Sequence, residues 1–426
     1  MAATLKERYD DLRVSQGAGR ARPAGISQED PFTLKLADLI LSYGVQVKAS
    51  DVHIEPTGAG ARIRYRIDGL LHEMLQVPKE TGDPLLRAVK VKANMVTDVV
   101  GRSKPQDGRV DFEVDGRKID LRLSSFPTLF GDVLAIRILD SSAPLLTLEQ
   151  VGFPPQVLKE FQRLIRRPNG LILATGPAGS GKTTTLYAAL NKLRSPHSKI
   201  ITLEDPVEYQ LDGIDQGQIN PAVGLTFVSG LRAILRQDAN VIFAGEIRDK
   251  ETADIAIRAA LTGHLVFSTM HTRHSLGAVT RLIDMGIELH LILASTTGVL
   301  AQRLVRLLCP RCKVPDPLAG RTFADLWKQA TGAEPPPEQS RRLSKGRGCP
   351  ACTMTGYQGR SGVFELLVLS EDIKRLMASR PGTHLYRNVV ASGKLRTMVL
   401  DGLDKVAQGV TTLDEVLRVT GETEEG

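Results

Sequence analysis

The stretch Leu171-Ile172-Leu173-Ala174-Thr175-Gly176-Pro177-Ala178-Gly179-Ser180-Gly181-Lys182-Thr183-Thr184-Thr185-Leu186 decides how this chain is read. An unbroken apolar run gives way to a glycine-rich turn, and a helix-compatible segment begins at Lys182. Gly176, Pro177, Ala178, Gly179, Ser180, Gly181, Lys182 and Thr183 fit G-x-x-x-x-G-K-[ST], with Thr184 following. Glycines let backbone N–H groups close around phosphate oxygens without a Cβ in the way, and the helix that follows turns its positive end to the same anion. Lys182 then reaches the β- and γ-phosphates of ATP, and the Thr183 hydroxyl is placed to ligate Mg²⁺.

Four further groups of residues lie downstream. A buried-type strand, Ile200-Ile201-Thr202-Leu203, ends in Glu204 and Asp205, with Glu208 close behind. In open α/β sheets, ligands sit beyond such carboxyl ends. A carboxylate there can orient the water that attacks the γ-phosphate, although a solvated acidic loop has the same spacing. Val241-Ile242-Phe243-Ala244-Gly245-Glu246 is an apolar strand ending in an acid, the Walker B pattern that holds Mg²⁺ directly or through water. Gly263-His264-Leu265-Val266-Phe267-Ser268-Thr269-Met270-His271-Thr272 is a strand ending in two polar residues and His271, which could sense the γ-phosphate or a neighbouring subunit, or be a plain structural histidine. All four cysteines fall in Cys309-Pro310-Arg311-Cys312 and Cys349-Pro350-Ala351-Cys352. Two C-x-x-C pairs with none left over point to a closed, structural tetrahedral Zn²⁺ site, against a disulfide pair or a redox motif.

The rest of the chain frames these groups. Residues 1–30 read as a flexible lead interrupted by Gly17, Gly19, Pro23 and Gly25. Residues 31–143 read as an α+β (PAS-like) domain with a helix over 31–43, strands around 49–56 and 63–67, and a helix over 85–95. A hairpin turning at Asp115-Gly116 and a strand over 133–139 complete it. Residues 144–426 read as an α/β domain: strands at 170–175, 199–203, 240–244 and 264–269 alternate with helices at 183–193 and 252–261. Within it, 305–356 form a four-cysteine zinc-binding subdomain whose residues 314–348 read as an extended excursion. A strand over 363–367 and a helical C-terminal region follow.

The 426 residues carry a formal net charge of +7, with 42% hydrophobic and 24% charged residues, as expected of a globular chain with acidic partners such as nucleotide. Aromatic residues make up 4%, too few for base-stacking platforms, so no nucleic acid is expected as partner. The N-terminus has no apolar signal core, so a cytoplasmic location is expected.

Taken in order, Gly176 to Thr183, Glu204-Asp205-Pro206-Val207-Glu208, Gly245-Glu246-Ile247-Arg248-Asp249, and Thr262-Gly263-His264 with His271 resemble the Walker A, Asp box, Walker B and His box of the type II secretion and type IV pilus ATPases. The segments 48–56, 207–214 and 298–304 are most similar to the type II branch, the general secretory pathway protein E family. The resemblance implies a RecA-like ATPase domain after a mobile first domain. It also implies a homohexamer with sites between domains and subunits, peripheral on the cytoplasmic face of the inner membrane. Partners would be a membrane platform and an adaptor protein, and the output pseudopilus assembly and protein export.

In that light Glu208 is the catalytic carboxylate with Glu204 as runner-up, and Glu246 is the Walker B acid. His264 and His271 form the His box, and Arg109, Arg122, Arg232 and Arg236 match phosphate-contacting arginines. Asp238-Ala239-Asn240 departs from the family's acid-proline-acid. A pilus-assembly ATPase shares the same chemistry, and a RecA-like nucleic-acid translocase is the reading from another class.

Overall fold

The computed structural model describes residues 4–15, 30–97, 104–140, 142, 144–336, 343–379 and 385–421. The chain divides into two units, Met1–Pro144 and Leu145–Gly426.

The first unit runs α1 (Leu5–Ser15), α2 (Pro31–Gln46), β1 (Asp51–Thr57), β2 (Gly60–Ile67), β3 (Leu70–Pro78), α3 (Lys79–Lys92), β4 (Gln106–Val114), β5 (Arg117–Thr128) and β6 (Gly131–Asp140). Its antiparallel sheet has the order β3-β2-β1-β6-β5-β4. Period-two alternation sends Val52, Ile54, Ile63, Tyr65, Ile119, Leu121, Leu123, Leu134 and Ile136 to one face. That face packs with Leu36, Ala37 and Ile40 of α2 and Leu85 and Val89 of α3 in one core. The Tyr65 hydroxyl donates to the Ile40 carbonyl at 2.9 Å, so burying it strands no donor. Asp30 caps α2 by accepting from Thr33 N at 3.1 Å, and Pro31 starts the helix. At Asp115-Gly116 the hairpin turns with φ of 51° and 73°, the left-handed pair that a two-residue turn requires.

Two expectations change here. The flexible lead of 1–30 does not hold for α1: Leu5 and Tyr9 are buried in this core, and Leu12 packs against it. That i, i+4, i+7 stripe was overshadowed by the glycines that follow. The helix expected to begin at 85 begins at Lys79 instead, with Pro84 inside it.

The second unit runs α4 (Pro155–Ile165), β7 (Gly170–Thr175), α5 (Lys182–Leu193), β8 (Ile200–Glu204), β9 (Asp215–Gln218), α6 (Phe227–Ile234), β10 (Val241–Ala244), α7 (Lys250–Leu261), β11 (Leu265–Met270), α8 (Ser275–Asp284), α9 (Leu289–Ser295) and β12 (Thr296–Leu308). Then come β13 (Lys313–Pro315), α10 (Gly320–Thr331), β14 (Ser344–Gly346), β15 (Tyr357–Val368) and helices Glu371–Ser379, Leu385–Ala391, Met398–Ala407 and Leu413–Thr420. The sheet order is β15-β12-β7-β11-β10-β8-β9, parallel except for β15. Strand β11 is inserted between the phosphate-loop strand and the Walker B strand, the arrangement of a RecA-like ATPase domain. Every residue of β7, β8, β10 and β11 is buried, as in a sheet covered on both faces, with one core cluster on each side.

Residues 314–348 are not an extended excursion throughout. Phe323 and Trp327 of α10 are buried against Met398, Leu403 and Val406, so the segment folds back as a helix on the C-terminal helices.

Candidate functional site

The phosphate loop joins the carboxyl end of β7 to α5. Gly176 has φ of 151° and Gly181 φ of 85°, both left-handed or beyond reach of most side chains. A Cβ at Gly176 would stand 2.5 Å from the Gln302 carbonyl oxygen and 2.6 Å from Ser180 Oγ, so the loop closes only with glycine there. Lys182 Nζ donates to the carbonyls of Gly176 at 2.8 Å and Pro177 at 3.0 Å. Burial pulls its pKa down to about 8, against the Glu246 charge and with help from Arg303. Ser180 Oγ is buried with no hydrogen-bond partner among the described residues. A cation held only by neutral carbonyls, an orphaned hydroxyl and a cradle free of Cβ atoms fit a polyphosphate chain. Thr183 is half-buried at the first turn of α5, and Thr184 is exposed.

The acids beside the loop separate by environment. Glu204 is buried at the end of β8 and accepts from the Tyr187 hydroxyl, from Thr202 Oγ1 at 2.6 Å and from Gln216 Nε2 at 3.2 Å. Burial raises its pKa in spite of those donors, and the Glu208 charge adds to the rise. Glu208 lies on the following loop, its N–H donating to the Tyr187 hydroxyl at 3.4 Å. Its carboxylate makes no ion pair and accepts no hydrogen bond among the described residues. Glu246 follows β10 on a backbone pinned from both sides. Gly245 N donates to Leu203 O at 2.8 Å, Thr269 Oγ1 donates to Gly245 O at 2.7 Å, and Ile247 N donates to Thr269 O at 3.0 Å. Its carboxylate pairs with Arg248 and lies 3.7 Å from His271 Nε2. Burial and the Lys182 charge hold His271 below its ordinary pKa, against the pull of Glu246. Lys182, Glu246 and His271 therefore share one electrostatic neighbourhood at the carboxyl edge of the sheet, as β7, β11 and β10 dictate.

His264 is not brought there. It precedes β11 at the amino edge, where Nδ1 contacts the Ala259 carbonyl at 3.0 Å. Seven strand steps at about 3.3 Å each put it roughly 20 Å from His271 along the strand. Arg232 of α6 pairs with Glu251 at 2.6 Å, and Arg236, in the turn after α6, donates from Nη1 to the Arg232 carbonyl at 2.8 Å; both arginines are exposed.

In the first unit Arg109 and Arg122 stand directly opposite each other on β4 and β5, sharing Asp120 at 2.6 and 3.5 Å. The row continues through Arg137 of β6, in register with Arg122, to Asp51 of β1. Sequence reading missed Arg137, because only the strand pairing shows that it extends this basic row.

The cysteines end β12 and precede β15. Their four sulfurs lie within 4.8 Å of one another, with pairs at 3.7, 3.8 and 3.9 Å. A tetrahedron with metal–sulfur bonds of about 2.3 Å has edges of about 3.8 Å, so the cluster has the dimensions of a four-thiolate zinc site. The Cys352 sulfur accepts N–H groups of Cys349 and Gly356, each at 3.2 Å, the outer hydrogen bonding that such thiolates need.

Comparison with known proteins identifies relatives over most of the chain. The type II/IV secretion system protein family matches residues 27–418. The chain is 45% identical over 397 residues to the type II secretion system ATPase E of Vibrio cholerae serotype O1, covering 93% of this chain and 77% of that one. It is 45% identical over 395 residues to the type II secretion system protein E of Dickeya dadantii, with the same coverages. Among solved structures, the pilus retraction motor PilT with bound ADP aligns with a TM-score of 0.60 at 26% identity, over 91% of this chain and 98% of that one. The Legionella pneumophila ATPase DotB aligns with a TM-score of 0.68 at 20% identity, over 95% and 98%, and shares the fold. The chain belongs to the type II/IV secretion system protein family, and within it to the type II secretion ATPases.

Proposed function

We propose that this ATPase works as a homohexameric ring whose active sites are completed by a neighbouring subunit. In this reading it powers pseudopilus assembly for protein export from the cytoplasmic face of the inner membrane. The observation that carries the reading is a division of labour among charged groups. Lys182, Glu246 and His271 converge on the phosphate loop, whereas Arg232 on α6 and Arg236 just after it are exposed, and Arg109, Arg122 and Arg137 line a sheet in the first unit. Arginines so displayed suit charge stabilisation on a phosphoryl group delivered from elsewhere. No helix of the described residues is long and apolar enough to cross a membrane, so attachment would run through a platform and its adaptor protein.

Thr183 and Glu246 would hold Mg²⁺, which when bound neutralises charge on the β- and γ-phosphates. Glu246 and Glu208 are the carboxylates open to the attacking water. Glu204, held by three internal donors, braces the loop that carries Glu208.

Mixing variants tests the ring. Chains with Lys182→Ala keep the arginines, and chains with Arg232→Ala and Arg236→Ala keep the phosphate loop. Each preparation is expected to be nearly inactive in ATP hydrolysis, and a mixture to recover activity at six-chain mass. A mixture no more active than its parts would end the shared-site reading.

The cysteine cluster would hold one Zn²⁺ that ties the end of β12 to the start of β15, a structural role that a closed four-thiolate site imposes. Metal analysis of the purified chain should give about one zinc per chain. A folded chain with four titratable thiols and no zinc would defeat this assignment.

A further inference from the structure

Gln302 occupies the middle of β12 and is 1% exposed. Strand β12 runs parallel to β7 with Ala301 opposite Thr175, so Gln302 comes level with the start of the phosphate loop. Its side chain makes two bonds across the chain. Nε2 donates to the Ser180 carbonyl at 2.8 Å, and Oε1 accepts from Thr185 Oγ1 at 2.8 Å. Thr185 lies in the first turn of α5 and is itself buried. The same Nε2 lies 2.7 Å from where a Cβ on Gly181 would be, which gives Gly181 a packing reason as well as a conformational one.

We propose that Gln302 is a positioning residue of the nucleotide site, fixing from the neighbouring strand the direction of the Gly181 N–H. The inference rests on the reading that the loop holds nucleotide phosphates. Its physical basis is the planarity of the peptide between Ser180 and Gly181. In a trans peptide the carbonyl and the N–H point in opposite directions, so a carbonyl held outward on Gln302 keeps the following N–H turned inward to the cradle. Glycine at 181, with φ of 85°, cannot hold that plane by sterics of its own. The Thr185 hydroxyl completes the device. The Ser180 carbonyl can only accept, so the NH2 end of the amide faces it, and the Thr185 hydroxyl donates to the Oε1 that remains. Glutamate would keep the acceptor for Thr185 but set an oxygen against the Ser180 carbonyl. Leucine would leave both partners unpaired in a buried place.

ADP titration of the full chain tests this, because the β-phosphate contacts the loop amides in ADP as in ATP. Gln302→Leu is expected to weaken ADP binding about tenfold, Thr185→Val about threefold, and Thr185→Ser hardly at all. The nucleotide-free Tm of Gln302→Leu should fall because two buried bonds are lost, so the readout is the further rise in Tm given by saturating ADP to each variant, which should shrink in the same order. A folded Gln302→Leu chain that binds ADP within about twofold of the parent overturns the proposal. If Gln302→Leu does not fold, equal ADP affinities for the parent, Thr185→Val and Thr185→Ser overturn it instead. A parent chain that binds no ADP removes the nucleotide reading itself, an outcome distinct from an intact parent with indifferent variants.

Discussion

Replacing Lys182 with alanine will lower ATP turnover by about 10²–10³-fold, to the edge of detection, and weaken ATP binding with it. The ammonium is buried at the mouth of the loop and held only by the Gly176 and Pro177 carbonyls, two neutral acceptors that it must leave to meet a phosphate. Arg303 also stands beside the loop, with Nη1 3.1 Å from where a Cβ on Gly176 would be, but its guanidinium is engaged by the carbonyls of Gln302 at 3.0 Å and Arg273 at 2.7 Å. A steady-state ATPase assay with a parallel nucleotide-binding titration decides the matter. Near-parental turnover would end the phosphate-loop reading.

The same lysine makes binding depend on pH in the parent. With the loop free of phosphate its pKa is brought down to about 8 by burial. A bound phosphate raises it again, so nucleotide binding takes up a proton wherever the lysine starts out neutral. Below pH 8 it is already charged and ADP affinity is flat. Above pH 8 affinity falls by up to about tenfold per pH unit, until the pH passes the pKa of the bound form. Lys182→Ala should abolish that slope, and a parent affinity constant between about pH 7 and pH 9 would contradict the linkage.

Much of this site was legible in the sequence for a plain physical reason. Strands buried on both faces read as continuous apolar runs, and in a parallel sheet the chemistry sits where each run stops. Leu171 to Ala174 and Val241 to Ala244 announce themselves in that way. Strand β12 did not, since Gln302 and Arg303 interrupt its apolar run at the point where it serves the phosphate loop. Strand β3 was equally quiet, with only Leu75 and Val77 fully buried along it. Arg137 became visible only through register, and His264 and His271 were read together because one strand joins them. Which of the two ends faces the site is fixed by the direction of the strand in the sheet, which puts His271 at the carboxyl edge and His264 at the amino edge. The two separations that mattered most, Gln302 to Ser180 and Glu246 to His271, are set by strand order and by no local spacing.

Glu246→Gln is the second decisive change, expected to leave ATP binding near the parent value while lowering kcat by about 10²–10³-fold. The substitution preserves size and removes only charge, and the backbone around it is clamped by Leu203 and Thr269, so the loop should stay in place. What disappears is the negative group that faces Lys182 and His271 and is available to a metal-bound or attacking water. Glu208→Gln should likewise bind ATP and hydrolyse it poorly, because its carboxylate is open while its backbone is tethered to Tyr187. Glu204→Gln should behave differently. Its partners Tyr187, Thr202 and Gln216 are internal, so the expected loss is about 1 kcal/mol of stability with turnover largely kept. Single-turnover hydrolysis and thermal melts of the three variants separate the roles. An inactive but ATP-binding Glu204→Gln beside an active Glu208→Gln would reverse the assignment, moving the catalytic carboxylate from the loop after β8 to the buried end of that strand.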